Sequence, residues 1–101
     1  MTLEIAPQVD HDLDEIVTYI ARASTAHGER LIQAIYTEIA TIARSPLLYR
    51  LRPDVGRDAR IAIVGQYVIL FFVTGSIVRV ERVVHGNRQL SELYQNTSRS
   101  T

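Results

Sequence analysis

A chain of 101 residues, 47% of them apolar, has the length of one domain and enough apolar surface for one core. It has no cysteine and a formal net charge of zero, which excludes a disulfide framework, a thiolate metal site, a cysteine nucleophile and a protein that coats nucleic acid by charge alone. All 11 basic residues are arginine; without lysine there is no Schiff-base chemistry and no phosphate-binding P-loop, while arginine keeps its charge and offers a forked donor to carboxylate or phosphate.

Thr2 to Ala6 reads as a short strand with Leu3 and Ile5 on one face. Pro7 suits the first turn of a helix, where its missing N–H leaves no bond unmade. Asp10, Asp12, Asp14 and Glu15 crowd the next turns, where acids complement the helix dipole. Val9, Leu13, Ile16, Val17 and Ile20 recur at helical spacing and predict a helix over 8–23. Ser24 to Gly28 interrupts the pattern. A second helix is predicted over 29–44, with a stripe of Leu31, Ile32, Ile35, Ile39 and Ile42, and Ser45-Pro46 stops it. Two striped helices joined by so short a link make an antiparallel hairpin.

After the arginine-, proline- and glycine-bearing stretch "LLYRLRPDVGRDAR" the period changes to two. Ala59, Ile61 and Ile63 share one face of a strand, and Arg60, Ala62 and Val64 the other. Gly65-Gln66 is a two-residue link with glycine where a type II′ turn prefers it. Tyr67 to Val73, "YVILFFV", is apolar on both faces and therefore central and buried. Thr74-Gly75-Ser76 turns the chain into a last strand, Ile77 to Val84. Gly86-Asn87 leads to a short helix through Leu90, Leu93 and Tyr94. The reading is an α+β domain of order β-α-α-β-β-β, with the helical hairpin on one face of a mostly antiparallel sheet. The domain is assigned to residues 1–95; the polar tail 96–101 is expected to be disordered. The first residues carry no basic-then-apolar leader, and the longest apolar run is far short of the roughly 20 residues of a membrane span. A cytoplasmic protein away from the membrane is expected.

Three segments resemble one known family. "APQVDHDLDEIVTYI" (6–20) is similar to its first helix, with an Ala-Pro start, Asp-Leu, and Tyr-Ile. "SPLLYRLRPDVGRDARIAIVGQYVILFFV" (45–73) resembles the passage from the second helix through an arginine-bearing strand into a Tyr-x-Ile-x-Tyr/Phe strand. "VERVVHGNRQL" (80–90) resembles its closing Arg-Val-x-His-x-x-Arg-Asp, with Gln89 in place of the aspartate. In order, over residues 3 to 90, they resemble the ParE/RelE superfamily of toxins from type II toxin–antitoxin systems. The resemblance implies a bacterial toxin held in a hetero-oligomer by a cognate antitoxin. Its ParE-like branch poisons DNA gyrase by binding; its RelE-like branch cleaves mRNA on the ribosome.

The ParE-like branch fits a neutral, lysine-free chain better, and under it the protein is not an enzyme. The target-binding surface is then expected at Arg79, Arg82, His85, Arg88 and Tyr94. The alternative, an mRNA endoribonuclease, would use His85 as acid or base, with Glu38 or Glu81 as its partner. Arg60 and Arg82 would stabilise the phosphorane charge. A third reading is a domain that only binds its antitoxin and is no longer toxic. Arg82 is expected among Val78, Val80 and Val84, paired with Asp58 or with a neighbour of Glu81, because an unpaired buried charge is very costly. Arg50 and Arg52 read as a solvated loop with local ion pairs. No metal or other cofactor is expected: Asp10-x-Asp12-x-Asp14 lacks the glycine and distant glutamate of a calcium loop, and His11 and His27 lack ligand spacing. Antitoxin capture requires an exposed apolar strip by the helices and one open sheet edge.

Overall fold

The computed structural model describes residues 1–87. The elements run in the order β1 (Thr2–Ile5), α1 (Pro7–Ala21), α2 (Thr25–Arg44), a 3-10 turn (Pro46–Leu48), β2 (Ala59–Val64), β3 (Tyr67–Thr74) and β4 (Ile77–His85). The four strands form one sheet in the order β1-β4-β3-β2. Both hairpin pairings, β2 with β3 and β3 with β4, are antiparallel; β1 returns beside β4 in parallel, so the sheet is mixed. A parallel neighbour requires a crossover, and here the helical hairpin and two further strands supply it.

The helices start where local chemistry allows. Pro7 occupies the first turn of α1, and Ala6 caps it with no side-chain bond. Ser24 caps α2, its Oγ accepting from the His27 N–H at 3.1 Å. That bond explains why α2 begins at Thr25, four residues before the periodicity suggests. Gly28 lies inside the first turn of α2, buried against the last turns of α1. Serine at an N-cap satisfies an N–H that the helix itself leaves unpaired.

Both hairpin turns place glycine first, at φ +60° for Gly65 and +59° for Gly75, in the left-handed region that glycine enters without a Cβ penalty. Among the described non-glycine residues only Asp58 has a positive φ, 63°, in the turn that leads into β2.

The main core lies between the helices and one sheet face. Val9, Leu13 and Ile16 from α1 and Ile35, Ile39 and Ile42 from α2 meet Ala62, Ile69, Phe71, Val78, Val80 and Val83. Phe71 is fully buried at the centre, with the Tyr49 ring edge-on at 5.4 Å between centroids. "YVILFFV" is thus an interior strand, as its two apolar faces predict. Its other face carries a second cluster, in which Val68, Leu70 and Val84 pack with Ala59 and with Val55 from the loop before β2. No helix among the described residues is long and apolar enough to cross a membrane.

Candidate functional site

The end of β4 departs from simple alternation. Leu70 pairs with Arg82, but Phe71 pairs with Val80, so Glu81 is an extra residue in a β-bulge. One added residue exchanges the faces of everything beyond it. Val83, and not Val84 or Arg82, therefore joins Val78 and Val80 under the helices, while Val84 turns to the opposite cluster. The single face expected for Val78, Val80, Arg82 and Val84 is corrected accordingly.

Arg82 pairs neither with Asp58 nor with a neighbour of Glu81. Its guanidinium forks onto Asp12 of α1, Nε donating to Oδ2 at 2.8 Å and Nη2 to Oδ1 at 2.9 Å. The Val83 N–H donates to Oδ2 at 3.0 Å, and Gln8 Nε2 reaches Oδ1 at 3.4 Å. Asp12 is only 4% exposed, so this carboxylate is buried with its lone pairs committed, as a buried charge requires. The bond to Asp12 raises the Arg82 pKa above its ordinary value, with burial opposing it. Among the described residues no buried side-chain nitrogen or oxygen lacks a partner.

Next to this pair, α1 and the sheet end enclose a cleft of about 430 Å3. Asp12, Glu15 and Tyr19 line one side, and Gln66, Tyr67 and His85 the other. His85 Nδ1 accepts from the Asn87 N–H at 3.3 Å, which leaves the ring hydrogen on Nε2, facing Gln66 Oε1 at 3.3 Å. The imidazole stands edge-on to the Tyr67 ring, 5.4 Å between centroids. Burial raises the Tyr67 pKa, helped by the nearby Tyr19.

The other singled-out side chains lie elsewhere. Arg79 bonds Glu81 at 3.0 Å and Glu4 of β1 at 3.4 Å; it lies about 20 Å along the strand from His85, at ~3.3 Å per residue. Arg60 donates to the Tyr49 carbonyl. Opposite Phe71, it is four residues along β3 from the Tyr67–His85 pair, about 13 Å by the same spacing. Glu38 accepts from the Tyr49 hydroxyl, and Glu81 is taken by Arg79, so neither candidate partner touches His85. Arg52 forks onto Asp54 at 2.9 and 2.7 Å, the local loop pair expected of it. Arg88, Tyr94, the short C-terminal helix and the tail after residue 95 lie outside the described residues. Among those described, no three His, Asp or Glu side chains gather as a metal site.

Residues 3–90 match the family model described as the ParE toxin of the type II toxin-antitoxin system, parDE. The chain belongs to the ParE toxin family. A solved structure described as the chromosomal ParDE TA system from P. aeruginosa is similar in fold, with a TM-score of 0.72 and 18% identity over 84% of this chain and 95% of that one. No curated protein matches.

In this ParE-family chain both sheet edges carry exposed apolar side chains. At β1 these are Leu3 and Ile5, 36% and 41% exposed. At the β2 side they are Leu51 and Ile63, 48% and 69% exposed, which with Ile61 floor a second cleft rimmed by Arg50, Arg52 and Asp54. Leu51 bridges Arg60, and the Arg52 N–H donates to the Ala59 carbonyl at 2.7 Å, so the start of β2 is covered. Beyond it, from Ile61 to Val64, no strand pairs with the outer edge among the described residues.

The residue that sequence reasoning missed is Asp12. The signal was present: Asp12 stands three residues after Val9 and four before Ile16, on the apolar stripe itself. An acid on a stripe and an arginine among valines are complementary requests for a buried partner.

Proposed function

We propose that this chain is a type II toxin that acts by binding, with DNA gyrase as its target, and that a cognate antitoxin neutralises it in a hetero-oligomer. One observation carries the choice of mechanism. Each of the three cleavage candidates among the described residues is already engaged within the fold, and Arg60 stands about 13 Å along the sheet from His85. Arg82 is spent on Asp12, Arg60 on a backbone carbonyl, and His85 on Gln66 and Asn87. A general acid–base pair must converge within hydrogen-bond reach of one reacting centre, and no carboxylate bonds His85 among the described residues.

The target surface in this reading is the outer part of β4 together with the residues C-terminal to it: Arg79, His85, Arg88 and Tyr94, with Arg82 holding the strand against α1. The exposed apolar groups at the two sheet edges support antitoxin capture. An extended segment could pair with the outer edge of β2 while its alternate side chains cover Ile63 and Leu51. The test is expression from a tight promoter, with gyrase supercoiling and transcript integrity monitored together. The expected outcome is inhibited supercoiling with intact transcripts. Cleaved transcripts that become intact in His85→Ala would establish the nuclease instead. Unchanged growth would leave only an antitoxin-binding domain.

A further inference from the structure

Aromatic clefts take either a flat base or a flat cation, and charge decides between them. The cleft between α1 and the sheet end offers the rings of Tyr19, Tyr67 and His85. Its carboxylates are Asp12 and Glu15. Asp12 is paired with Arg82, whereas Glu15 is 68% exposed and has no arginine partner among the described residues. His11, one turn earlier, holds Glu15 Oε1 at 3.0 Å; Oε2 has no bond among the described residues. Among the described residues no arginine lines the cleft, and Arg22 belongs to the neighbouring depression. Among the described lining residues a nucleotide phosphate would therefore meet a carboxylate and no arginine. A guanidinium would meet the rings of Tyr19, Tyr67 and His85, the Glu15 carboxylate and the Gln66 side chain.

We propose that this cleft binds the side chain of an exposed arginine presented by a protein partner. Guanidinium planes stack on tyrosine rings and fork onto a carboxylate, a combination a lysine ammonium cannot reproduce. The inference goes beyond the choice of target: it concerns the side chain that the cleft accepts, and stands or falls apart from gyrase inhibition. Its geometry is also secured from behind. The Asp12–Arg82 fork fixes α1 against β4, so the two walls are set before a partner arrives, and a preformed site spends less of its binding energy on ordering.

The test is nuclear magnetic resonance on the isotope-labelled full chain, titrated with the capped peptide Gly-Arg-Gly and with its citrulline and lysine analogues. The arginine peptide is expected to move the ring signals of Tyr19, Tyr67 and His85 together and to saturate them. Citrulline keeps the shape and loses the charge, and should bind about tenfold more weakly, as should lysine at a stacked site. Glu15→Gln should weaken the arginine peptide about fivefold, and Tyr19→Ala similarly. Tyr19 is 70% exposed, so that variant keeps the fold. The proposal is overturned if citrulline binds as well as arginine, if no cleft signal moves, or if a mononucleotide moves these signals at lower concentration than the peptide.

Discussion

Asp12 and Arg82 connect the first helix to the last strand through charge. Removing one member leaves the other buried and uncompensated, which typically costs about 3–5 kcal/mol. Asp12→Asn should therefore lower the melting temperature by well over ten degrees in a domain of this size, at roughly 4–8 °C per kcal/mol. Asp12→Leu combined with Arg82→Met should recover much of the loss, because an apolar pair of similar volume avoids the desolvation penalty. Thermal unfolding of the two variants beside the parent decides it; equal losses would mean that the pair itself is not what matters. A second residue reports on alkaline stability. Burial, and then the bond to Glu38, push the Tyr49 hydroxyl up to about 12. The folded state holds this proton more tightly than the unfolded chain, whose tyrosine ionises near 10. The stabilisation from Tyr49 is fully present below pH 10 and is lost as pH rises from 10 through 12. Ultraviolet titration should show a tyrosinate transition near 12 that disappears in Tyr49→Phe.

At the scale of elements, the caps and the bulge set the geometry. Ser24 satisfies the first turn of α2, and Ser24→Ala should cost about 1 kcal/mol, a few degrees in melting temperature, with binding properties unchanged. Chemical denaturation measures this directly. The bulge at Glu81 matters more for function. Without it, strict alternation would place Val84 under the helices and turn Val83 away, and the N–H of Val83 would not meet Asp12. Deleting Glu81 should therefore give a chain that loses cooperative unfolding, whereas Glu81→Ala keeps the extra residue and should cost about 1 kcal/mol or less, the worth of its pair with the half-exposed Arg79.

Taken whole, the molecule's layers were legible and its joints were not. Helical and alternating periodicities gave the element order, and the doubly apolar "YVILFFV" gave the interior strand, because burial writes itself as spacing. The position of β1 was hidden, since a parallel partner across 75 residues leaves no local mark. The start of α2 is hidden because Gly28 reads as a breaker, whereas it is a close contact inside the first turn. The partner of Arg82 is not legible because a bulge has no signature in alternation, and an acid in the early turns of a helix reads equally well as a complement to its dipole. The open side of the sheet carries its own prediction. Ile63 is largely exposed, so Ile63→Glu should leave stability within about 0.5 kcal/mol while weakening antitoxin association by more than about tenfold. Calorimetric titration of the purified pair tests it, and unaltered affinity would move the partner to another edge.

The pairing of the first helix with the final strand also sets a clock during synthesis. The carboxylate at position 12 leaves the ribosome 70 residues ahead of the guanidinium that neutralises it. At about 5–20 residues per second that interval lasts roughly 4–14 s. β1 waits as long for β4. A nascent chain of this toxin cannot close its sheet until β4 has emerged, so a message cut short before the Arg82 codon yields a fragment without its fold.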